Sequence, residues 1–539
     1  MYLTLEEYRE HKTICEDRKR TIEADYNKIL EYTSPVGTVS SEKTLGVEQR
    51  RPVNATIYEA VTSFKNFVMY ALYGANTKWA KSDVRIPLLR KQYSNVEELD
   101  KIIQKYRERL DVQTDDIFDF ILDSNHEKEI GKAISDWGEL GTGCWEYIEQ
   151  KSDATPFTCR YVPLNELLFN EDVQGEPSII FRYHFNYKIK DLKFRYPKAD
   201  LSSLGETDDF VTVIECVMPH IKDDGTKEYE CVLFDSSINV ALDRIVRKYN
   251  PYTVFRFSSM NSTCWGIGLG MVCLDVYERI IYFENLRARQ AARIVEPPLG
   301  FIGDKKLAMD MDFNPNGLNW LGDGTNSRVG VQPINTTGSL LPVEKDIDRY
   351  TQTIQQVHFN NPFGSADNKT TRAVEEVQYR MQLLQQKFSD AVSNLYTEVL
   401  IPSFMKPKII LEVKDIVPAI EESKYFKPKF VNLLTKTIAK QEVDSIIGSY
   451  QVLASLFPST APFVFKETET INKINNSFGV EKKLVAESED RESRKQQALE
   501  QSLAMQRLEQ GQGGTQNEWW YFSIRGCGKS LYRPSKQVL

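Results

Sequence analysis

Residues Arg525 to Ser530 read RGCGKS, which looks like the end of a phosphate-binding loop. Such a loop cradles phosphate on backbone N–H groups at a helix start, and it needs a further glycine at position 523. That position is Ser523, and only nine residues follow Ser530, so a flexible basic tail is the plainer reading. Asp312, Asn314, Asn316, Gly317 and Asp323 occupy the first, third, fifth, sixth and twelfth places of a calcium-binding loop. Alternating oxygens could wrap a hard cation there, with the glycine making the bend. Pro315 inside the loop, Asp at the last place and the lack of a following helical pattern favour a cluster of Asx and glycine turns. Arg287, Arg289 and Arg293 form a basic cluster that could meet phosphates or acidic partners, or could complement the negative end of a helix. The five histidines have no ligand spacing, and the eight cysteines form no CxxC pair, so the thiols are read as reduced and mostly buried. No nucleophile–base pair or dinucleotide loop stands out, and neither catalytic residue nor cofactor is assigned.

The chain has 539 residues, with 41% hydrophobic and 27% charged residues and a net charge of -8. It can fill cores, which excludes wholesale disorder. No run approaches the roughly 18–20 apolar residues that span a bilayer. The charged start lacks a signal peptide's apolar stretch, so an intracellular, soluble protein is expected. The acidic balance argues against gripping nucleic acid with the whole surface.

Helical periodicity predicts helices over 1–32, 56–72, 96–122 (as one or two), 128–140, 271–294 and 343–359. Between Phe157 and Phe257, short Val-, Ile-, Tyr- and Phe-rich runs read as antiparallel strands, with a hairpin at Asp223-Asp224-Gly225 and a short helix over 187–195. Gly266, Gly268 and Gly270 precede the 271–294 helix and read as a hinge. Val374, Val377, Met381, Leu384, Phe388, Ala391 and Leu395 step 3-4-3-4-3-4 along a helix over 372–400 that Ile401-Pro402 should end. Such a seam packs within one chain or between copies. A strand is expected at 408–413 and a helix over 428–456. Residues 481–510 read as a charged helix, and a GQGG linker then leads to the aromatic run Trp519–Phe522. The class is α+β, mainly helical.

The layout of residues 265–404 resembles the portal, or head-to-tail connector, proteins of short-tailed, T7-like bacteriophages. The features that carry the likeness are GIGLG before DVYERIIYFENLRARQAARI, then VEPPLGFIGD, DIDRYTQTIQQVHF, NNPFGSADNKTT and RAVEEVQYRMQLLQQKFSDAVSNLYTEVLIPSF. EYTSP, ANTKW and KPKFVNLLTKTIAKQEVDSI also suit that family. The resemblance implies a ring, typically of twelve copies, at one capsid vertex, with double-stranded DNA packaged and ejected through its channel. Residues 1–265 would be the wing, 266–294 and 343–359 the stem, and 295–342 the clip. Residues 360–371 would be the tunnel loop, 372–404 a long wing and crown helix, 405–480 the crown and 481–510 the barrel; the role of 511–539 is open. Asn361, Gly364, Asn368, Lys369 and Arg372 would lie at the channel, with Lys369 and Arg372 as its few basic positions. Implied partners are the terminase large subunit, tail adaptor and tail proteins, and capsid and scaffolding proteins. The protein would be a virion component assembled in the host cytoplasm, with no membrane, no catalysis and no cofactor. A channel-free coiled-coil scaffold or adaptor, or an enzyme without a recognisable motif, are the competing readings.

Overall fold

A computed structural model describes residues 3–34, 53–74, 78–92, 96–202, 204–222, 225–260, 263–302, 317–322, 330–334, 341–360, 389–418, 426–431 and 433–458, with isolated positions 314, 380, 383, 386, 387, 464, 470, 471, 474 and 493. The chain divides into two compact units, Met1–Gln441 and Glu442–Leu539. In the second, described structure is mainly the end of one helix.

The helices of the first unit are α1 (Leu5–Thr33), α2 (Ala55–Tyr73), α3 (Ile86–Gln92), α4 (Val96–Asp123), α5 (His126–Leu140), α6 (Ile189–Arg195), α7 (Leu269–Val295), α8 (Leu341–Val357), α9 (Ser389–Asn394) and α10 (Ile401–Val413), and α11 (Leu433–Leu456) runs into the second. The strands are β1 (Ala80–Val84), β2 (Thr142–Glu149), β3 (Phe157–Tyr161), β4 (Leu167–Asn170), β5 (Ile179–Lys188), β6 (Phe210–Ile221), β7 (Lys227–Asp235), β8 (Ala241–Arg247), β9 (Tyr252–Arg256), β10 (Ser259–Met260), β11 (Thr263–Gly266), β12 (Leu299–Ile302), β13 (Leu318–Gly322), β14 (Gly330–Pro333) and β15 (Phe426–Phe430). The mixed helical and strand class expected from the pattern is what folds.

A capping box starts α1: the Thr4 hydroxyl and the Glu7 carboxylate satisfy each other's backbone N–H groups. Helix α1 then lies along the strands. Tyr8 and Cys15 pack with Phe181, Ile214 and Phe234 of the five-stranded antiparallel sheet β4–β8, whose strands neighbour in chain order. Tyr26 and Ile29 pack with Trp265 and Phe169. The sheet β3-β2-β9 faces α2 and α5 across the largest core, where Phe64, Trp137, Phe255 and Phe257 meet. Burying each such side chain contributes about 1.5–3 kcal/mol relative to exposure.

Several expectations need correction. Strands β1, β2, β4 and β8 escaped the pattern; β2 is buried on both faces for most of its length and shows no alternation. Residues 408–413 form helix, not strand: Phe404, Pro407, Lys408, Ile410 and Leu411 are all buried, and an apolar run buried nearly all round has no diagnostic period. Pro402 does not end the long helix. It sits in the first turn of α10, directly after a π-helical stretch, Leu395–Leu400, in which the Ile401 N–H reaches the Tyr396 carbonyl. Widening the turn accommodates a residue that has no N–H and whose ring would crowd an α-helical carbonyl. Pro428 lies in β15, in a two-stranded ribbon with β1, and the helix begins only at Leu433. Of the seam, Ala391 and Leu395 are buried; Val374, Val377, Met381, Leu384 and Phe388 lie outside the described residues. At the hairpin between β6 and β7, Gly225 adopts the positive φ expected (+79°), while Asp223 and Asp224 lie outside them. The cysteines Cys15, Cys144, Cys159, Cys216, Cys231, Cys264 and Cys273 are free and buried.

A buried charge network joins the two sheets. The Arg182 guanidinium is fully buried between Glu146 and Glu166, 3.1 Å from the latter, and Arg195 also donates to Glu146. Glu215 accepts from the Tyr196 hydroxyl at 2.6 Å and the Tyr252 hydroxyl at 2.5 Å. Burial opposes its charge, yet the hydrogen bond from His184 and the charge of Arg195 hold its carboxyl below the usual range. Burial pushes His184 down to about 4. Arg182→Ala leaves Glu146 and Glu166 buried without their common cation. The expected cost is about 3–5 kcal/mol, read as a lower urea midpoint with the unfolding slope unchanged.

Candidate functional site

Helices α7 and α8 form an antiparallel pair. Tyr277 of α7 touches His358 just past the end of α8, while Phe283, further along α7, stacks near Tyr350, earlier in α8, with ring centroids 5.7 Å apart. Cys273, Tyr277 and Ile280 pack with Ile354 and with Ile57, Ala60 and Val61 of α2, so one stripe of each helix is buried at the near end. With 27 residues, α7 is about 40 Å long at ~1.5 Å per residue. Glu296-Pro297-Pro298 ends it, and the three-stranded sheet β13-β12-β14 lies between its end and the start of α8. Pro298 and β14 are tied by the Ile334 N–H donating to the Pro298 carbonyl at 2.7 Å.

The near end is fixed by a backbone contact. The chain at Gly266–Gly268 runs against Glu139–Gly141 so closely that a Cβ on Gly266 or Gly268 would strike backbone atoms of that turn. Gly141 closes α5 in the left-handed conformation (φ +86°). Its carbonyl accepts from the Phe257 N–H at 2.8 Å, while Gly266 donates to the Thr142 hydroxyl at 3.0 Å and accepts from the Tyr26 hydroxyl at 3.1 Å. The glycines expected as a hinge are thus points of close approach, with Gly268 capping α7. A Cβ on Gly270 would lie 2.7 Å from the Glu139 carbonyl oxygen.

Glu139, Tyr277 and His358 meet beside this contact, all buried. The Glu139 carboxylate accepts from His358 Nε2 at 2.9 Å and from the Tyr277 hydroxyl at 3.1 Å. His358 Nδ1 lies 2.9 Å from the Ile354 carbonyl, which can only accept, so Nδ1 carries a proton. Burial alone would lower the pKa of His358; the Glu139 charge and hydrogen bond outweigh it and raise it. When His358 is protonated, the arrangement is a buried imidazolium–carboxylate pair joining α5, α7 and the end of α8.

The next residue, Phe359, has φ +56°, a left-handed position usually given to glycine. Its N–H reaches the Gln356 carbonyl, and the Asn360 N–H reaches the Gln355 carbonyl at 2.7 Å. That is the double bond of a Schellman cap, with a phenylalanine where the strain costs about 1–2 kcal/mol. The ring is held against Phe64 at 6.2 Å, with Lys387 Nζ 5.6 Å over it. The cap therefore fixes the backbone of Phe359 and Asn360 at the end of α8.

In the π-helical stretch between α9 and α10, Glu398 is gripped by Arg256 of β9. Its oxygens accept from the Arg256 N–H at 2.8 Å and from Nε and Nη2 at 3.1 and 2.6 Å.

Arg287 and Arg289 are exposed on the distal half of α7 and Arg293 is half-buried; none pairs with a described carboxylate. Asn361, Gly364, Asn368, Lys369 and Arg372 lie outside the described residues, as do Asp312, Asn316, Asp323 and the RGCGKS segment. Asn314 and Gly317 form a turn, the Asn314 carbonyl accepting from the Gly317 N–H at 2.9 Å. Among the described residues no group of three His, Cys, Asp or Glu side chains could hold a metal ion, and no helix is long and apolar enough to cross a membrane. Sequence reading missed Glu139, Tyr277 and His358. The available signal was a lone histidine four residues after Ile354 on the helical stripe and two residues before the NNPFG break.

Two results are expected. Gly266→Ala should destabilise by about 1–3 kcal/mol or more, since backbone on both sides must move; thermal unfolding measures it. For His358 the folded pKa lies above the unfolded value of about 6.5, so its contribution is full below that value and fades as pH rises through the folded one. His358→Gln should cost about 3–5 kcal/mol at pH 6 and clearly less at pH 9, read from paired denaturation curves.

A model of the family "Bacteriophage head to tail connecting protein" matches residues 6–485. The solved structure titled "Neck of empty GTA particle computed with C6 symmetry" is similar over 83% of this chain and 98% of that chain, at 9% identity and a TM-score of 0.32. No curated protein matches.

Proposed function

The chain belongs to the family of bacteriophage head-to-tail connecting proteins, and from that premise we propose that it is a portal subunit. Membership makes it a structural component of a phage head–tail particle. In the proposed reading, copies form a ring, of twelve in the T7-like pattern, at one capsid vertex. Double-stranded DNA enters and leaves through its axis. The α7/α8 pair is the stem, and the sheet β12–β14 with its flanking turns is the clip that docks the terminase large subunit and later the tail adaptor. Residues 1–265 are the wing, 360–371 the tunnel loop, 372–404 the long wing and crown helix, 405–480 the crown and 481–510 the barrel. Capsid and scaffolding proteins meet the ring during assembly in the host cytoplasm.

The observation that carries the reading is the antiparallel α7/α8 pair, with a small sheet at its far end and a locked exit at Phe359-Asn360. A segment that must yield to passing DNA needs a rigid root, and the His358–Glu139 pair with the Schellman cap supplies one. Deleting Gly364 to Asn368 tests it. Rings should still assemble, and DNA packaging or retention should fall at least tenfold in a packaging assay. Loss of assembly, or unchanged packaging, overturns the assignment of the loop.

A further inference from the structure

Strands β1 and β15 form an isolated antiparallel ribbon whose faces differ sharply. Ala80, Val84, Phe426 and Phe430 face inward and are buried. The outward positions are Lys81, Asp83, Lys427 and Lys429, with Lys81 directly opposite Lys429 and Asp83 opposite Lys427. Directly paired residues sit about 4.5–5.5 Å apart at Cβ, where like charges destabilise a sheet. The one carboxylate among them is engaged by a further cation: Arg107 of α4 donates Nε to Asp83 Oδ1 at 3.3 Å. Among the described residues none of the three lysines has a carboxylate within ion-pair distance. Burial and the charges of Lys81, Arg107 and Lys427 outweigh the Asp83 carboxylate and push Lys429 down from its ordinary pKa. Among the described residues, the outward positions together with Arg107 thus bring four cations against one anion, in a chain whose net charge is -8.

We propose that this ribbon face is a docking site for the phosphate backbone of double-stranded DNA, separate from the channel. Three features select that ligand. Lysine ammonium groups hold phosphate as point charges without demanding a fixed geometry, and Lys427 and Lys429 repeat about 6.7 Å apart along the strand. No aromatic side chain shares the outward positions; Phe426 and Phe430 point into the core, so single-stranded bases find no stacking platform. The repulsion between Lys81 and Lys429 is relieved when a polyanion lies across them. Contacts of this kind hold DNA without reading sequence. The inference rests on the portal reading only in taking DNA as the polyanion that the protein meets.

The test is binding of a random-sequence 30-base-pair duplex to the purified full chain, by fluorescence anisotropy across a salt series. Replacing Lys81→Gln, Lys427→Gln and Lys429→Gln together should lower the slope of log K against log salt by about 2.7, at ~0.9 per phosphate contact. Lys427→Gln alone, at an exposed position, should lower it by about 0.9. The triple variant should unfold at the same temperature as the parent or higher without DNA, because a repulsion has gone. Unchanged slopes overturn the proposal. So does a polyglutamate peptide that binds with the same dependence on the three lysines while the duplex does not bind, since the partner is then an acidic protein. Packaging through the channel is read independently, so failure here leaves that reading standing.

Discussion

Two stretches of backbone, Glu139–Gly141 and Gly266–Gly268, lie too close for any side chain to stand between them. Much of the fold is organised by that contact. It sets where α5 stops, where the strands around β9 and β11 meet the helices and where α7 begins. It also brings Glu139 beside α7, and from there the carboxylate reaches His358 on the far side of the pair. A backbone contact fixes position without side-chain freedom, and a buried ion pair fixes orientation. Together they leave the α7/α8 pair little play at its root, while its distal half is exposed.

The charges divide into two populations. Inside the first unit, several buried cations are matched to carboxylates: Arg182 with Glu146 and Glu166, Arg195 with Glu146, Arg256 with Glu398, and His358 with Glu139. Such pairs add little net stability over apolar packing, but breaking one is costly, so they specify a single arrangement. On the outer face of the β1–β15 ribbon the rule is reversed, with lysines facing each other across strands. A net charge of -8 conceals that contrast, because the sum does not say which charges are paired.

The sequence made the long helices plain. Their 3.6-residue stripes survive in the structure at α1, α2, α4, α5, α7 and α8 within a few residues. It was weaker where burial erases periodicity, as in β2 and α10, and where proline has a use beyond termination. Pro402 follows a π-helical turn held by Arg256 and Glu398, partners 142 residues apart. The site was the least legible part. Glu139 and His358 are 219 residues apart and share no motif, and the meaning of Gly266 and Gly268 depends on what packs against them. Glycine in sequence reads as freedom, but here it provides room for another chain segment.

The central claim is that this connector-family chain works as a ring around a DNA path. Negative-stain microscopy of the purified full-length protein tests it most directly. Closed rings with a central hole of duplex width are predicted. Monomers or rods persisting at high protein concentration would contradict it.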